Sequence, residues 1–334
     1  MGLKSTVPKQ SRRCFLTQYS HEKWLTTHQM SNILLLISCL IIGIILRGVK
    51  SLPDNAPTTL NGLIVNVFVP AITLRYGIEL DISADLLLPI LAAWLVFGLA
   101  FLFFNVTKKW TGFDRETIGA LIVVAGISSI SFVGFPIFEL LYGGEGLKAG
   151  IVMSQAGTFV VCSTAGILVV SVYGEKEDSI KGLKIVKDIL RFPPFVAFCT
   201  AILLKLIGYH PPSVILAFLE KLGSPMSVAA LLSIGLQMNF KSDSTQRKAL
   251  IFGLFFKLII APIFIFFVFF VFFKQTNVAA KVSVVGSTLG SMNTIGIVAI
   301  RKGLNRPLIT KMLAISIPLS LLLVPIVYYF LNQF

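Results

Sequence analysis

The sequence predicts an all-α integral membrane protein of ten transmembrane helices, built as two inverted five-helix repeats. Three observations predict it. The 334 residues are 55% hydrophobic with a mean hydropathy of +0.87, while 13% are charged, about half the share of a soluble globular chain. The apolar residues fall in runs close to the roughly 20 that an α-helix needs to cross a bilayer. The spacing of these runs in the first half of the chain returns in the second.

In chain order, residues 1–29 form a basic tail, read as disordered. Ser11-Arg12-Arg13-Cys14-Phe15-Leu16 resembles a twin-arginine signal, but the next apolar run starts some fifteen residues later instead of adjacent to it. Met1-Gly2 with Thr6 fits a myristoylation pattern. Coincidence in a basic tail is the reading taken for both, and no cleavable signal peptide is assigned. The first repeat, 30–172, holds charge-poor windows at 31–47, 60–78, 86–104, 117–141 and 147–172. A short polar loop follows at 173–190. The second repeat, 191–334, holds windows at 191–208, 216–238, 246–273, 279–300 and 308–331, the first two of them short and edged by proline.

The starts at 31, 86 and 147 map onto 191, 246 and 308 at an offset of about 160 residues. Gly77-Ile-Glu-Leu-Asp81 matches Gly235-Leu-Gln-Met-Asn239, with an amide in place of each carboxylate, and Ser131-Phe-Val-Gly134 matches Asn293-Thr-Ile-Gly296. Five is an odd number, so the second unit enters the membrane from the opposite face. Inverted repeats of this kind belong to secondary transporters, with the site near the midplane where the repeats meet.

Charge sets orientation and excludes other classes. The net charge is +14, yet the basic residues sit mainly in short loops, with no stripe interleaved with aromatics, so no nucleic-acid partner is predicted. Loops on the side of the termini carry eight Lys/Arg, five of them in the tail, against seventeen on the other side. The second side should be cytoplasmic, with both termini outside, in a plasma or inner membrane. Cys14, Cys39, Cys162 and Cys199 are too scattered for a disulfide framework or a metal motif and read as packing residues. His21, His28 and His210 are likewise scattered. With no zinc, nucleophile-elbow or phosphate-loop signature, neither an enzyme nor a cofactor is predicted.

The strongest local signal is a pair of interrupted helices. Gly126-Ile-Ser-Ser-Ile-Ser-Phe-Val-Gly-Phe-Pro136 puts serines, glycines and a proline in the middle of the fourth span, and Gly286-Ser-Thr-Leu-Gly-Ser-Met-Asn-Thr-Ile-Gly296 does the same in the ninth. Both stretches should unwind. Unwound backbone at membrane depth is tolerated where protein buries it or where it lines a wet cavity, and half-helix N-termini suit an anion. Close packing of small residues is the competing explanation for either stretch alone. Equivalent positions in both repeats favour a site.

The candidate substrate-binding residues are Ser128, Ser129, Ser131 and Pro136 from the first interruption and Ser291, Asn293 and Thr294 from the second, with Gln237 and Lys257. Lys257 lies near the middle of the eighth span, where a charge costs at least about 2.5–3.5 kcal/mol, so it should be paired with a carboxylate or face water. Glu79, Asp81 and Glu139 are candidates for a coupling ion; an interfacial position for Glu79 and Asp81 and snorkelling of Arg75 are the structural alternatives. Asn66, Gln155 and Gln237 are amides in apolar runs that interhelical hydrogen bonding explains as well as ligation does.

At these residues the chain resembles the auxin efflux carrier family of the bile/arsenite/riboflavin-type transporter superfamily. The resemblance spans about 31–331 and rests on Leu60-Asn-Gly-Leu-Ile-Val-Asn-Val-Phe-Val-Pro70, Phe132-Val-Gly-Phe-Pro136, Tyr142-Gly-Gly-Glu-Gly146, Phe192-Pro-Pro-Phe-Val-Ala197, Gly235-Leu-Gln-Met238 and Phe256-Lys-Leu-Ile-Ile-Ala-Pro262. It implies that discontinuous helices 4 and 9 cross, that a small organic anion (auxin-, malate- or malonate-like) is carried by alternating access, and that the chain forms a homodimer in the lipid bilayer. Plant members carry proline at both crossings, whereas here the second has Gly296-Ile-Val. The short loop at 173–190 resembles the compact microbial type. Proton coupling, sodium coupling as in bile-acid carriers, and a non-transporting metabolite sensor remain as alternatives.

Overall fold

The computed structural model describes residues 38–49, 52–53, 55–81, 83–174, 191–237 and 246–334. The predicted tail with Cys14, the loop 173–190, and Met238 and Asn239 lie outside the described residues. The described chain is helical throughout, without a β-strand. In order come α1 (38–46), α2 (Ala56–Gly77), α3 (Ala84–Thr111), α4 (Arg115–Gly126), α5 (Ile130–Tyr173), α6 (Pro193–Leu206), α7 (Ser213–Gly223) and α8 (Met226–Gln237). Then follow α9 (Arg247–Phe272), α10 (Val278–Thr288), α11 (Asn293–Arg301) and α12 (Arg306–Leu331). Six runs are long and apolar enough to cross a membrane: α2, α3, α5, the Ser213–Gln237 pair, α9 and α12.

Local chemistry fixes several ends. Asp114 accepts the Thr117 N–H at 2.7 Å, Asn277 the Ala280 N–H at 2.9 Å and Asn305 the Leu308 N–H at 3.1 Å, capping α4, α10 and α12. α3 continues past the predicted end at 104 to Thr111 and stops at Gly112, whose φ of 68° needs no Cβ. α5 turns back on itself at Gly143, φ 64° and ψ −152°. Ser131 and Ser154, on its two arms, meet with their hydroxyls 2.5 Å apart.

Proline leaves a repeated mark. The π-turns Ile64–Phe68, Ile130–Gly134 and Phe256–Ile260 each end two residues before a proline: Pro70, Pro136 and Pro262. A proline donates no hydrogen bond and its ring crowds the carbonyl four residues earlier; widening the preceding turn to i→i+5 relieves both. These prolines therefore bend no helix open. Against the expectation that it helps unwind the fourth span, Pro136 sits inside the resumed helix.

α4 is buried over all of Thr117–Gly126, and α10 over Val282–Thr288. A helix apolar on every side belongs inside protein, and these two are sheathed by α3, α5, α9 and α12. Elsewhere helices approach closely at small residues. Gly43 of α1 and Gly235 of α8 pack so tightly that a Cβ on either would come within 2.5 Å of the partner's backbone. Gly77 of α2 lies against Ala201 of α6, where a Cβ would come within 2.8 Å.

Candidate functional site

The fourth and ninth predicted spans are both broken, and the breaks meet. Between α4 and α5 the chain is extended over Ile127–Ser129; between α10 and α11 it is extended over 289–292. The Ser129 N–H donates to Gly290 O at 2.9 Å and the Met292 N–H to Ile127 O at 3.1 Å, forming an isolated antiparallel bridge of Ser128 with Ser291. Each break thus supplies partners for the other's unwound backbone, as burial requires. Ser291 adds a side-chain tie: its N–H donates to Ser316 Oγ at 2.9 Å, and that hydroxyl lies 3.2 Å from Ser291 Oγ.

A cavity of about 620 Å³ lies against the bridge. Of the predicted residues, Ser128, Ser129, Ser131, Gln237, Asn293 and Thr294 line it. Pro136, Ser291 and Lys257 do not: Pro136 is buried in α5, Ser291 is turned to Ser316, and Lys257 lies behind Ser128. The remaining wall is hydroxyl, amide and apolar, with Asn61, Asn66, Ser154, Thr158, Phe132 and Phe192 among its members. None of the described lining residues is charged. Thr58, Phe192, Gln237 and Thr310 stand within two turns of the helix ends next to 47–55, 174–192, 238–246 and 302–305, so the cavity reaches toward that face.

Two helix N-termini end at this cavity. Ile130, Ser131 and Phe132 begin one half-helix; Asn293 and Thr294 begin the other. First-turn N–H groups have no partner within their helix and mark its positive end. Asn293 Nδ2 donates to Gln237 Oε1 at 3.3 Å, and Gln237 Nε2 donates to Ser233 O at 3.0 Å, tying α11 to α8. Ser233 also donates to Asn61 Oδ1 at 2.5 Å, tying α8 to α2.

Lys257 differs from its expected carboxylate pairing. Its side chain is fully buried in the π-turn of α9, and Nζ donates to Ser128 Oγ at 2.7 Å. Among the described residues no carboxylate pairs with it. The carboxylate candidates lie elsewhere. Glu79 pairs with Arg75 at 2.7 Å, and Arg75 also reaches Glu220 at 3.4 Å, so Arg75 is paired instead of snorkelling free. Asp81 is exposed, and Glu139 accepts a hydrogen bond from Ser227 at 3.2 Å. None of the three lines the cavity.

The amides divide similarly. Asn66 lines the cavity but its Nδ2 donates to Gly62 O at 2.8 Å in its own helix. Gln155 lies behind the wall, donating to Ser154 Oγ at 3.4 Å with its Oε1 unpartnered among the described residues. Ser154 and Thr158 are site residues that the sequence reading misses. Their signal is a polar pair four residues apart in an apolar span, which places both on one helix face.

The chain matches the family model described as membrane transport protein over residues 28–328. It is 26% identical over 308 residues to a protein named as an uncharacterized transporter from Methanothermobacter thermautotrophicus, covering 90% of this chain and 97% of that one. It is 28% identical over 245 residues to another uncharacterized transporter, from Methanocaldococcus jannaschii, covering 71% of this chain and 75% of that one.

Proposed function

Since this chain belongs to the membrane transport protein family, that of the auxin efflux carriers, we propose that it is a secondary transporter of a small organic anion, a carboxylate held where the two breaks cross. One observation carries the reading: two half-helix N-termini, at Ile130 and at Asn293, meet a single cavity whose described wall has no charge of its own. Positive helix ends and free N–H groups favour an anion, and the hydroxyls of Ser131 and Thr294 with the amide of Asn293 can orient it.

The architecture of this reading is ten helices in two inverted five-helix repeats, 30–172 and 191–334. The close glycine contacts support it. Gly77 and Gly235 are equivalent at the repeat offset; one packs α2 on α6 and the other packs α8 on α1, as repeat partners should. Alternating access then follows from one group of helices moving against the other around the crossing. With the basic loops cytoplasmic and both termini outside, the cavity is open to the cytoplasm of a plasma or inner membrane.

Counterflow of labelled indole-3-acetate, malonate and malate into proteoliposomes tests the function, with protein-free liposomes as baseline. Asn293→Ala should lower carrier-dependent flux about tenfold or more, the scale of losing one oriented donor to an anion. Flux that is normal in Asn293→Ala would remove the crossing from the pathway. If none of the anions moves, the organic-anion assignment fails.

A further inference from the structure

The cavity wall is uncharged, yet a cation stands one side chain behind it. Lys257 is 0% exposed, its Nζ is 2.7 Å from Ser128 Oγ, and Ser128 itself lines the cavity. An ammonium carries three donors and no acceptor, so in this contact the Ser128 oxygen accepts. The hydroxyl proton of Ser128 is then free to be donated, and no acceptor for it occurs among the described residues. A buried cation whose one recorded partner is a neutral hydroxyl is also poorly compensated. A carboxylate placed against Ser128 resolves both conditions: it takes the free proton in a hydrogen bond and brings one negative charge close to the buried positive one.

We propose that Lys257 is a specificity-determining residue that acts through Ser128, turning this hydroxyl into an obligatory donor toward the cavity and limiting the cargo to a single negative charge. The inference rests on the reading of the crossing as an anion site. One cation balances one carboxylate. A second carboxylate would lie among Phe132, Phe159, Phe192, Ile234 and Leu313, with no charge opposite it among the described lining residues, and an unpaired charge in such a wall is costly. The cargo is therefore a monocarboxylate with an apolar body, and no metal cation is needed to hold it.

The probes are cyclohexanecarboxylate, cyclohexane-1,1-dicarboxylate and the neutral cyclohexanecarboxamide, titrated against the purified full chain in nanodiscs by calorimetry. The expected order is monocarboxylate tightest, with dicarboxylate and amide each at least about tenfold weaker. Lys257→Met should reduce the carboxylate-over-amide preference by about tenfold, and Ser128→Ala, which keeps the lysine, should do the same. The double variant should be no worse than either single, because both act on one path. Ser128→Ala removes one oxygen and decides the matter even if Lys257→Met does not fold. Dicarboxylate binding as tight as that of the monocarboxylate overturns the proposal, as does an unchanged preference in Ser128→Ala. Either result leaves the anion site standing so long as Asn293→Ala still loses the carboxylate. Absence of binding by both carboxylates in the unaltered chain would instead bring down the anion site, and this inference with it.

Discussion

Ser128 and Ser291 face each other across an antiparallel bridge that joins the two broken helices back to back, with Gly290 O accepting from the Ser129 N–H at 2.9 Å. Gly290 is held there by crowding as well. A Cβ on it would come within 2.7 Å of Ile317 Cα and 2.8 Å of Ile317 N in α12. Backbone cannot yield as a flexible side chain can.

Gly290→Ala should therefore destabilise the chain by about 1–3 kcal/mol, as overpacking does, and should distort the cavity. A fall in thermal midpoint together with loss of carboxylate binding is the expected result. A stable variant that binds normally would mean that α12 is free to move away from the crossing.

The glycine contact of α1 with α8 predicts a second loss, remote from the cavity's chemistry. Gly235→Val would push a branched side chain into Leu40 O and Gly43, both already within 2.8 Å of a bare Cβ. The expected cost is again about 1–3 kcal/mol, read from the thermal midpoint in detergent. A Cβ on Gly98 would meet nothing within 4 Å, so Gly98→Ala should be neutral or stabilising by up to about 1 kcal/mol.

Ser131 and Ser154 hold the two arms of α5 together, hydroxyl to hydroxyl at 2.5 Å, at the cavity wall. A double-mutant cycle of Ser131→Ala and Ser154→Ala should return a coupling of roughly 0.5–1.5 kcal/mol in stability. Additive single effects would show that the pair forms no bond worth counting in the membrane.

Glu139 and Ser227 form a contact of another kind. Ser227 opens α8 and lies roughly 15 Å along that helix from Gln237, the end of α8 that lines the cavity. The bond thus joins α5 to α8 on the membrane face opposite the cavity mouth. Ser227→Ala should favour opening on that face. In a cysteine-free background, a cysteine at Ser131 should then react with an impermeant maleimide about twofold to fivefold faster from that side, the factor given by losing about 0.5–1 kcal/mol. Unchanged labelling would reduce the contact to surface packing.

Much of this can be read from the residues. The spans are legible because lipid demands long apolar runs and basic residues mark their ends; α9, predicted at 246–273, is Arg247–Phe272. Both helix breaks are legible from clustered Gly and Ser. Their exact place is not, because Pro136 draws attention downstream while the unwinding is set by pairing of 127–129 with residues far away in sequence. Lys257 is recognisable as an anomaly in an apolar span. Its partner is not, since no local rule links position 257 to a serine 129 residues earlier. A carboxylate is the natural expectation for a buried lysine, and a hydroxyl at the cavity wall takes its place.

The π-turn that carries Lys257 has a consequence for insertions and deletions. Phe256–Ile260 holds one residue more than an α-helix requires. Removing a single residue from 258–260 would leave a sound helix of nearly the same hydropathy. It would also swing everything after the cut by about 100° relative to everything before it. Ala261, Ile265 and Phe269, all now buried, would be turned toward lipid, and the lysine could keep its serine only if the preceding half of the helix rotated instead. For this segment chain length is as much a specification as residue type, and a one-residue gap should be less tolerable than most substitutions.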